Sequence, residues 1–365
     1  MTTAPVNATV LKSLGLSFFL TGLLLAPARA QAPAVVQFFD AGKVRKGITL
    51  VEFAQEVVVI GRDGWMHSLN PKDPKTQIKR LNEKYEVASV AELRNQLRAE
   101  FGREFDVIAT KNFLVVQPKG RGDRWPRLFE QSHRAFTDYM SKRGVNTRVG
   151  RFPMVAVVFP DQSAMYAEFK RLNINMSRVA GVYSGESNRV MTHDGGRLSD
   201  IAATVRHEAA HQSAFNSNVH SRVNDTPKWI SEGIGQMFEP RGMTDARSAS
   251  RQADRVNRDS ESFIKDKYSD PRDSRFSETV MQLISDDTMF KNDRQVREAY
   301  AVSWAMMFFL AERQPDAFAK IINHTASRRP FKDYSRAERV REFENIVGVE
   351  TFEFSKKVMW FLRTL

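Results

Sequence analysis

The sequence predicts an α+β protein in which the strands come mainly before residue 195 and the second half is helical. Short runs rich in β-branched and aromatic residues, such as 154–159 (MVAVVF), recur in the first half between turn residues. Later in the chain the apolar residues recur at helical spacing, most clearly over 295–313. The 365 residues, 42% of them hydrophobic, are enough for one large domain or two.

The first 30 residues predict a signal peptide. Lys12 precedes an apolar run over 14–26, which has the length of a signal-peptide hydrophobic region and is short for a membrane span. Ala28 and Ala30 provide the small residues expected for cleavage after Ala30. We therefore expect export to a bacterial periplasm or the exterior, with an uncleaved anchor as the alternative. Cysteine is absent, which excludes disulfides, a cysteine nucleophile and a lipid anchor on cysteine.

The net charge of +12 suggests attraction to acidic surfaces such as anionic lipid or cell-wall polymer. The positive residues are scattered among 43 acidic residues, so we expect this attraction to be weak. No aromatic-basic stripe or nucleic-acid motif is present, and we expect no nucleic-acid partner. Residues 121–123 spell Arg-Gly-Asp, but a tripeptide is too short to indicate adhesion.

Residues 33–122 are expected to form a small N-terminal α/β module. Its predicted elements are a hairpin over 56–69, a helix that starts at the capping box 89–92 and stops at Gly102, and a hairpin over 105–117. The charged, glycine-rich stretch 119–124 is the expected boundary. The module could bind substrate, shield a site as a pro-region, or only pack against the rest of the chain.

Residues 123–365 are expected to form a second domain, with a sheet-bearing part over 123–217 and a helical part over 218–365. The first part is predicted to contain a helix over 123–143, a buried strand over 154–159, a helix from Asp161 to about 172, and short strands near 181–183 and 189–192. The second part should contain helices over 276–284, 295–313, 315–325, 335–347 and 351–365, after a charged, solvated stretch over 241–275.

The most informative stretch is 204–235, with His207-Glu208-Ala209-Ala210-His211 at its centre. Side chains four apart on a helix share one face, so His207 and His211 can direct two ring nitrogens at one zinc ion. Glu208 can reach a water molecule at that ion and act as a general base. The pattern therefore predicts a site for one Zn²⁺ per chain.

A third protein ligand is needed to complete such a site. Ser217 stands where the third histidine of a metzincin would fall, which excludes that arrangement. Glu232 lies in a predicted buried helix (WISEG, 229–233), where a carboxylate needs a partner, and it is our preferred third ligand. His220 and Asp225, in the polar loop between the two helices, are weaker candidates.

The HEAAH motif followed about twenty residues later by WISEG resembles the gluzincin superfamily of zinc peptidases, which includes thermolysin and the zinc aminopeptidases. More closely, roughly 123–365 resembles a group of bacterial secreted proteins catalogued only as a domain of unknown function. The resemblance implies a zincin fold and peptide-bond hydrolysis. It also implies His207, His211 and Glu232 as metal ligands and Glu208 as the base.

Three further expectations come with the resemblance. A sheet edge within about 180–192 should bind extended substrate by strand addition. Tyr300, in the segment YAVSW, resembles the aminopeptidase tyrosine whose hydroxyl stabilises the oxyanion. Gln236, one turn after Glu232, could hold a ligand histidine, although relatives such as thermolysin have an acid there.

The expected function is therefore that of an exported zinc peptidase acting on a peptide or protein substrate. One alternative is a zincin-fold envelope binding protein without catalysis, and another is a basic surface-binding protein whose HEAAH motif is accidental. Glu208 argues against a purely structural metal site, because such a site needs no base.

Overall fold

The computed structural model describes residues 33–40, 42–174, 179–245, 251–270 and 274–365. Strands occur between residues 35 and 193 and helices dominate from residue 198 onward, so the α+β prediction is confirmed. The signal peptide predicted over 1–30 lies outside the described residues. Within the described part of the chain, no helix has both the length and the hydropathy to cross a membrane.

An antiparallel sheet forms the N-terminal layer. Its strands are β1 (Val35–Asp40), β2 (Lys43–Glu52), β3 (Val57–Gly61), β4 (Met66–Leu69) and β5 (Lys79–Leu81), in the order β4-β3-β2-β1-β5. The hairpin predicted over 56–69 is confirmed as β3 and β4. Its turn contains Gly64 at φ +87°, a left-handed conformation that glycine adopts without strain.

A second, mixed sheet lies at the centre of the fold. Its strands are β6 (Phe105–Ala109), β7 (Phe113–Pro118), β8 (Met154–Phe159), β9 (Gly181–Ser184) and β10 (Arg189–His193), in the order β6-β7-β8-β10-β9. Helices α1 (Val90–Phe101) and α3 (Gln162–Arg171) cover one face, and α2 (Arg124–Ser141) and α4 (Leu198–Asn216) cover the other. The predicted capping box of Ser89 and Glu92 starts α1, and Asp161 caps α3.

The second sheet extends across the division expected at residue 122. Strands β7 and β8, one on each side of that position, are parallel neighbours, with Leu114 opposite Val155. The stretch 119–124 is therefore a tight connection rather than an interdomain linker, and Gly120 and Gly122 adopt φ of +81° and +64° in it. The hairpin of 105–118 belongs to the layer that carries the candidate site.

The remaining elements form a helical layer. They are α5 (Lys228–Phe238), α6 (Arg258–Lys267), α7 (Arg275–Ser285), α8 (Val296–Arg313), α9 (Pro315–Ser327), α10 (Arg336–Val347) and α11 (Thr351–Leu362), with short 3₁₀ turns at 241–243, 252–255 and 288–291. Helix α8 is buried along almost its whole length, as its apolar sequence predicts. Helix α5 lies between α4 and α8, and the close approach to α8 requires Gly233, where a Cβ atom would lie 2.6 Å from the Ser303 carbonyl oxygen.

Candidate metal centre

The structure brings His207 and His211 of α4 together with Glu232 of α5. The two Nε2 atoms are 3.0 Å apart. The Oε2 atom of Glu232 lies 3.4 Å from His207 Nε2 and 3.3 Å from His211 Nε2. Each of the three residues is only 8% exposed. Three lone-pair-bearing atoms thus converge in a buried position where two helices cross.

These distances suit one metal ion. Zinc bound tetrahedrally at about 2.0–2.1 Å separates neighbouring ligand atoms by roughly 3.4 Å. The observed separations of 3.0, 3.3 and 3.4 Å are close to that value. Two imidazoles and one carboxylate are also the donors of catalytic zinc sites that keep a fourth position open. Among the described residues, these three form the group that could hold a metal ion.

The other ring nitrogen of His207 contacts a carboxylate that the sequence analysis did not identify. His207 Nδ1 lies 2.8 Å from Oε1 of Glu239, which directly follows α5. A proton on Nδ1 would leave the lone pair of Nε2 directed at the cluster. Glu239 lies seven residues after Glu232, close to two helical turns, so the sequence does carry a signal that it shares that face.

Gln236, expected to hold a ligand histidine, instead holds Glu239. Its Nε2 donates to Glu239 Oε1 at 2.6 Å. Asn257 Nδ2 donates to the other carboxylate oxygen at 3.0 Å and to the carbonyl oxygen of Gln236 at 3.1 Å. The amide of Gln236 thus acts on the His207 imidazole only through Glu239, which lies between them, and not directly as expected.

Gly235 lets the ring of His207 lie directly on the backbone of α5. A Cβ atom at this position would lie 2.5 Å from Cε1 and 2.6 Å from Nε2 of His207. Non-bonded carbon atoms normally stay about 3.5–4.0 Å apart, so no other residue fits here unless the ring moves. This contact fixes one side of the imidazole and Glu239 fixes its Nδ1 edge.

The side chain of Glu208, a residue of α4, is held by strand β9. Its Oε2 accepts a hydrogen bond of 2.7 Å from the main-chain N–H of Tyr183. Strand β9 can come this close because residue 181 is a glycine, where a Cβ atom would lie 2.8 Å from Thr204 Cγ2 and 3.2 Å from Glu208 Cγ. Strand β9 is also the terminal strand of its sheet, so the expected sheet edge within 180–192 is present.

The carboxylates in and around the cluster favour a positive charge beside them. Burial acts to lower the pKa of His207, but hydrogen bonds to Glu232 and Glu239 and the charges of Glu208 and Glu239 raise it well above its usual value. Burial acts to raise the pKa of Glu232, yet the charge of His211 and the hydrogen bonds of both histidines lower it strongly. Lys228 Nζ lies 3.6 Å from Glu232 Oε1 and adds to that effect. A metal cation would satisfy the same carboxylates.

Tyr300 of α8 also reaches the cluster. Its ring centroid is 6.3 Å from that of His207, and its other side packs edge-on against Phe290. Burial, followed by the negative charges of Glu232 and Glu208, raises the pKa of Tyr300 well above its usual value. The hydroxyl therefore keeps its proton and can donate a hydrogen bond beside the cluster.

The structure does not bring the two weaker candidates for third ligand into the cluster. His220 packs against the ring of Phe215, with centroids 5.3 Å apart, and burial lowers its pKa to about 3. Asp225 pairs with Arg339 at 3.4 Å. Glu232 is thus the one of these three candidates that meets the histidines.

Residues 201–332 match a protein family described as "Protein of unknown function (DUF1570)". The match agrees with the resemblance to a family catalogued in those terms. The matched range contains all five candidate site residues, namely His207, Glu208, His211, Glu232 and Tyr300. Both sheets lie before this range. No curated protein matches the chain.

Proposed function

We propose that the protein is a zinc-dependent peptidase with a gluzincin-like site. The observation that carries the proposal is the convergence of His207 Nε2, His211 Nε2 and Glu232 Oε2 within 3.0–3.4 Å of one another. The position of Glu208 on the same helix, held by the terminal strand β9, adds a base to this donor set. Family resemblance at the two motifs supports the same reading.

A bound Zn²⁺ would polarise the substrate carbonyl and make a water molecule more acidic. In the proposed reaction Glu208 takes one proton from that water as its oxygen bonds to the carbonyl carbon. Glu208 then delivers the proton to the amide nitrogen as the C–N bond breaks, which releases an amine and a carboxylic acid, and the acid finally loses the second proton of the water to solvent. Tyr300, protonated in this environment, would donate a hydrogen bond to the negative charge that develops on the carbonyl oxygen.

The residues around the proposed ligands would hold the His207 ring and the end of α5 in position. Glu239 would fix the orientation of the His207 ring, since its carboxylate is itself held by Gln236 and Asn257. Arg206 Nε donates to the main-chain carbonyl of Glu239 at 2.6 Å and ties the end of α5 back to α4. These are positioning residues, and none of them needs to touch the substrate.

The proposed partners are a peptide or protein substrate, with no nucleic acid and at most weak attraction to acidic surfaces. The proposed location is outside the cytoplasm of a bacterium, after cleavage near Ala30, and rests on the sequence of the first 30 residues. The family at 201–332 has no described activity, so the proposal depends on the site.

One observation favours the alternative of a zincin-fold binding protein without catalysis. Each metal ligand is only 8% exposed, and Glu208 is only 9% exposed, so the cluster is nearly closed to solvent. Low exposure would suit an ion that only stabilises the fold, because a substrate or water molecule must reach a catalytic ion. Such a site would have no use for Glu208, however, and the peptidase remains the better-supported proposal.

Substitution of the base tests the peptidase proposal against this alternative. Glu208→Gln preserves size and leaves all three ligands in place, so it should retain zinc and lose hydrolysis of a peptide library. Glu353→Gln is a matched control, because Glu353 is an exposed carboxylate on α11. If wild type and Glu208→Gln hold zinc equally and neither hydrolyses any peptide, the non-catalytic alternative is the correct one.

A further inference from the structure

One arginine ties the turn between β9 and β10 to the N-terminal sheet. Arg222, in the loop between α4 and α5, donates from Nε to the carbonyl oxygen of Gly185 at 2.6 Å and from Nη2 to that of Glu186 at 2.9 Å. Its Nη1 donates to the carbonyl oxygen of Gly64, in the β3–β4 turn, at 2.7 Å. A single guanidinium group therefore joins three main-chain segments that are distant in sequence.

The β3–β4 hairpin of the N-terminal sheet makes further contacts with the same turn. The N–H of Met66, the first residue of β4, donates to the carbonyl oxygen of Glu186 at 2.8 Å. The guanidinium of Arg189, the first residue of β10, lies over the ring of Trp65 at 5.0 Å from its centroid. The hairpin is therefore fixed against the β9–β10 turn, which suits a permanent part of the protein better than a removable pro-region.

The loop that carries Arg222 is itself anchored to the helical layer. The carbonyl oxygen of Val223 accepts a hydrogen bond of 3.2 Å from the N–H of Phe331, which lies between α9 and α10. The side-chain Nδ2 of Asn224 donates to the carbonyl oxygen of Arg328 at 2.8 Å. Arg222 thus has a fixed base from which its side chain can hold the turn.

The two limbs of the β9–β10 turn are held by different elements. On the β10 limb, the amides of Asn188 and Asn216 bond to each other at 2.7 and 3.1 Å, and Gln212 Nε2 donates to the Asn188 carbonyl oxygen at 2.7 Å. Both partners belong to α4. The β9 limb, residues 185–186, is held by Arg222 and by the N-terminal sheet. Loss of the Arg222 side chain should therefore loosen the β9 limb and leave the β10 limb attached to α4.

The β9 limb leads directly to the main-chain group that holds Glu208. The N–H of Tyr183 donates to Glu208 Oε2 at 2.7 Å, and Tyr183 lies two residues before Gly185, about 7 Å along an extended strand. The Tyr183 hydroxyl also donates to Asn188 Oδ1 at 3.0 Å, so the ring would keep its place if the limb loosened. The expected change is a less firmly held N–H rather than loss of the strand.

We propose that Arg222 is a positioning residue for Glu208: by fixing the β9 limb on the N-terminal sheet, it fixes the main-chain N–H that orients the carboxylate. This inference rests on the proposed function, in that Glu208 is taken to be the base. It gives the N-terminal sheet a permanent part in the site, and Arg222 does not need to touch the substrate.

The test is Arg222→Met in the zinc-loaded full chain. Amide hydrogen exchange of β9 (Gly181–Ser184) should accelerate by about tenfold or more, the effect of losing hydrogen bonds from a charged donor. Zinc content should stay the same, because no ligand is touched. In a peptide assay kcat should fall by about tenfold while KM changes by less than about threefold, since the base acts in the chemical step. Unchanged β9 exchange would overturn the inference.

Arg94→Met is the matched control for this variant. Arg94 of α1 donates from Nε to the carbonyl oxygen of Val107 at 3.0 Å, in β6 at the opposite edge of the same sheet. Its loss also removes an arginine from a main-chain carbonyl, but far from β9 in the strand order. Exchange of β9 and kcat should match wild type, and an equal effect of both substitutions would contradict a specific role of Arg222.

A second variant disturbs the junction from the N-terminal sheet and serves if Arg222→Met does not fold. A Cβ atom at Gly64 would lie 3.0 Å from Phe152 Cγ and 3.3 Å from Asn188 Nδ2, whereas one at Gly42 would meet nothing within 4 Å. Both glycines have left-handed φ, of +87° and +78°, so alanine brings similar backbone strain to each. Gly64→Ala should accelerate β9 exchange and Gly42→Ala should not, and equal exchange in the two variants would overturn the inference.

Hydrogen exchange needs no turnover, so it separates this inference from the peptidase proposal. Hydrolysis by wild type with an unchanged kcat in Arg222→Met would overturn the inference and leave the peptidase. Faster β9 exchange in Arg222→Met and Gly64→Ala, with no hydrolysis of any peptide by wild type, would uphold the fixing of β9 by Arg222 and refute the peptidase.

Discussion

Replacing Gly235 with alanine should disrupt metal binding through a single methyl group. The added Cβ would lie 2.5 Å from Cε1 of His207, about 1 Å short of an ordinary carbon–carbon contact. The ring cannot turn away freely, because its Nδ1 edge is held by Glu239 at 2.8 Å. Either the imidazole or helix α5 must therefore move by up to about 1 Å.

Metal sites tolerate little of that movement, since ligand distances hold within about 0.2 Å. A displaced ligand should lower zinc affinity by at least the 10–100-fold seen when supporting contacts are lost, or roughly 1.4–2.7 kcal/mol. The overpacking itself should cost about 1–3 kcal/mol of unfolding free energy. Competition with a chromophoric chelator measures the affinity, and urea unfolding of the metal-free protein measures the stability.

Gly185→Ala provides the matched control, because a Cβ atom at Gly185 would meet nothing within 4 Å. This variant should bind zinc and unfold like wild type. The reasoning is refuted if Gly235→Ala binds zinc as tightly as Gly185→Ala does, since the His207 ring would then not lie where the structure places it.

Two further predictions concern the surroundings of the cluster, and a third concerns a buried ion-pair network near the end of α8. Glu239→Ala should weaken zinc binding by about 10–100-fold in the same chelator competition, because His207 loses the partner of its Nδ1. Tyr300→Phe should keep the zinc and lower kcat by about 10²-fold in a peptide assay, because only a hydroxyl donor is removed. Glu312→Gln should cost about 3 kcal/mol in urea unfolding at pH 7, because Glu312 pairs with both Arg143 and Arg255 at 2.7 Å.

The pH dependence of the Glu312 effect has a definite sign. Burial acts to raise the pKa of Glu312, but the hydrogen bond and charge of Arg255 and the charge of Arg143 lower it below its usual value. The folded state thus favours the charged carboxylate. The stabilisation is complete above the unfolded pKa, near 4.3, and is lost as the pH falls through the folded value. The difference between wild type and Glu312→Gln should shrink over that acidic range, and a difference that grows there would contradict the pairing.

Local features of the fold could be predicted from the sequence because their causes are local. Ser89 and Glu92, three residues apart, satisfy each other's main-chain groups and start α1, and Ser335 starts α10 in the same way. The long apolar run of α8 predicts a helix buried on all sides. The pairing of β7 with β8 was not predicted, because it joins distant segments and a glycine-rich turn of 119–124 has the composition of a linker.

In the candidate site, too, local features could be predicted and most contacts between distant segments could not. The spacing of His207 and His211 is a property of one helix, so their meeting could be predicted, and the buried helix of Glu232 supplied the third donor. The main-chain donor of Tyr183 could not be predicted, since every residue except proline carries one. Gly235 is visible as a glycine, but the sequence does not show that the His207 ring packs against it. The spacing of Glu239 to Glu232 does predict its position, because a carboxylate seven residues on lies close to two helical turns further along the same face.

The central claim is that His207, His211 and Glu232 hold one zinc ion. Elemental mass spectrometry of the purified mature protein, beside a His211→Ala variant, tests it directly. The geometry predicts about one zinc per chain in wild type and a large loss in the variant, because two protein ligands hold Zn²⁺ far less tightly than three. Absence of zinc from both proteins, even after zinc is supplied, would contradict the claim and remove the peptidase proposal with it.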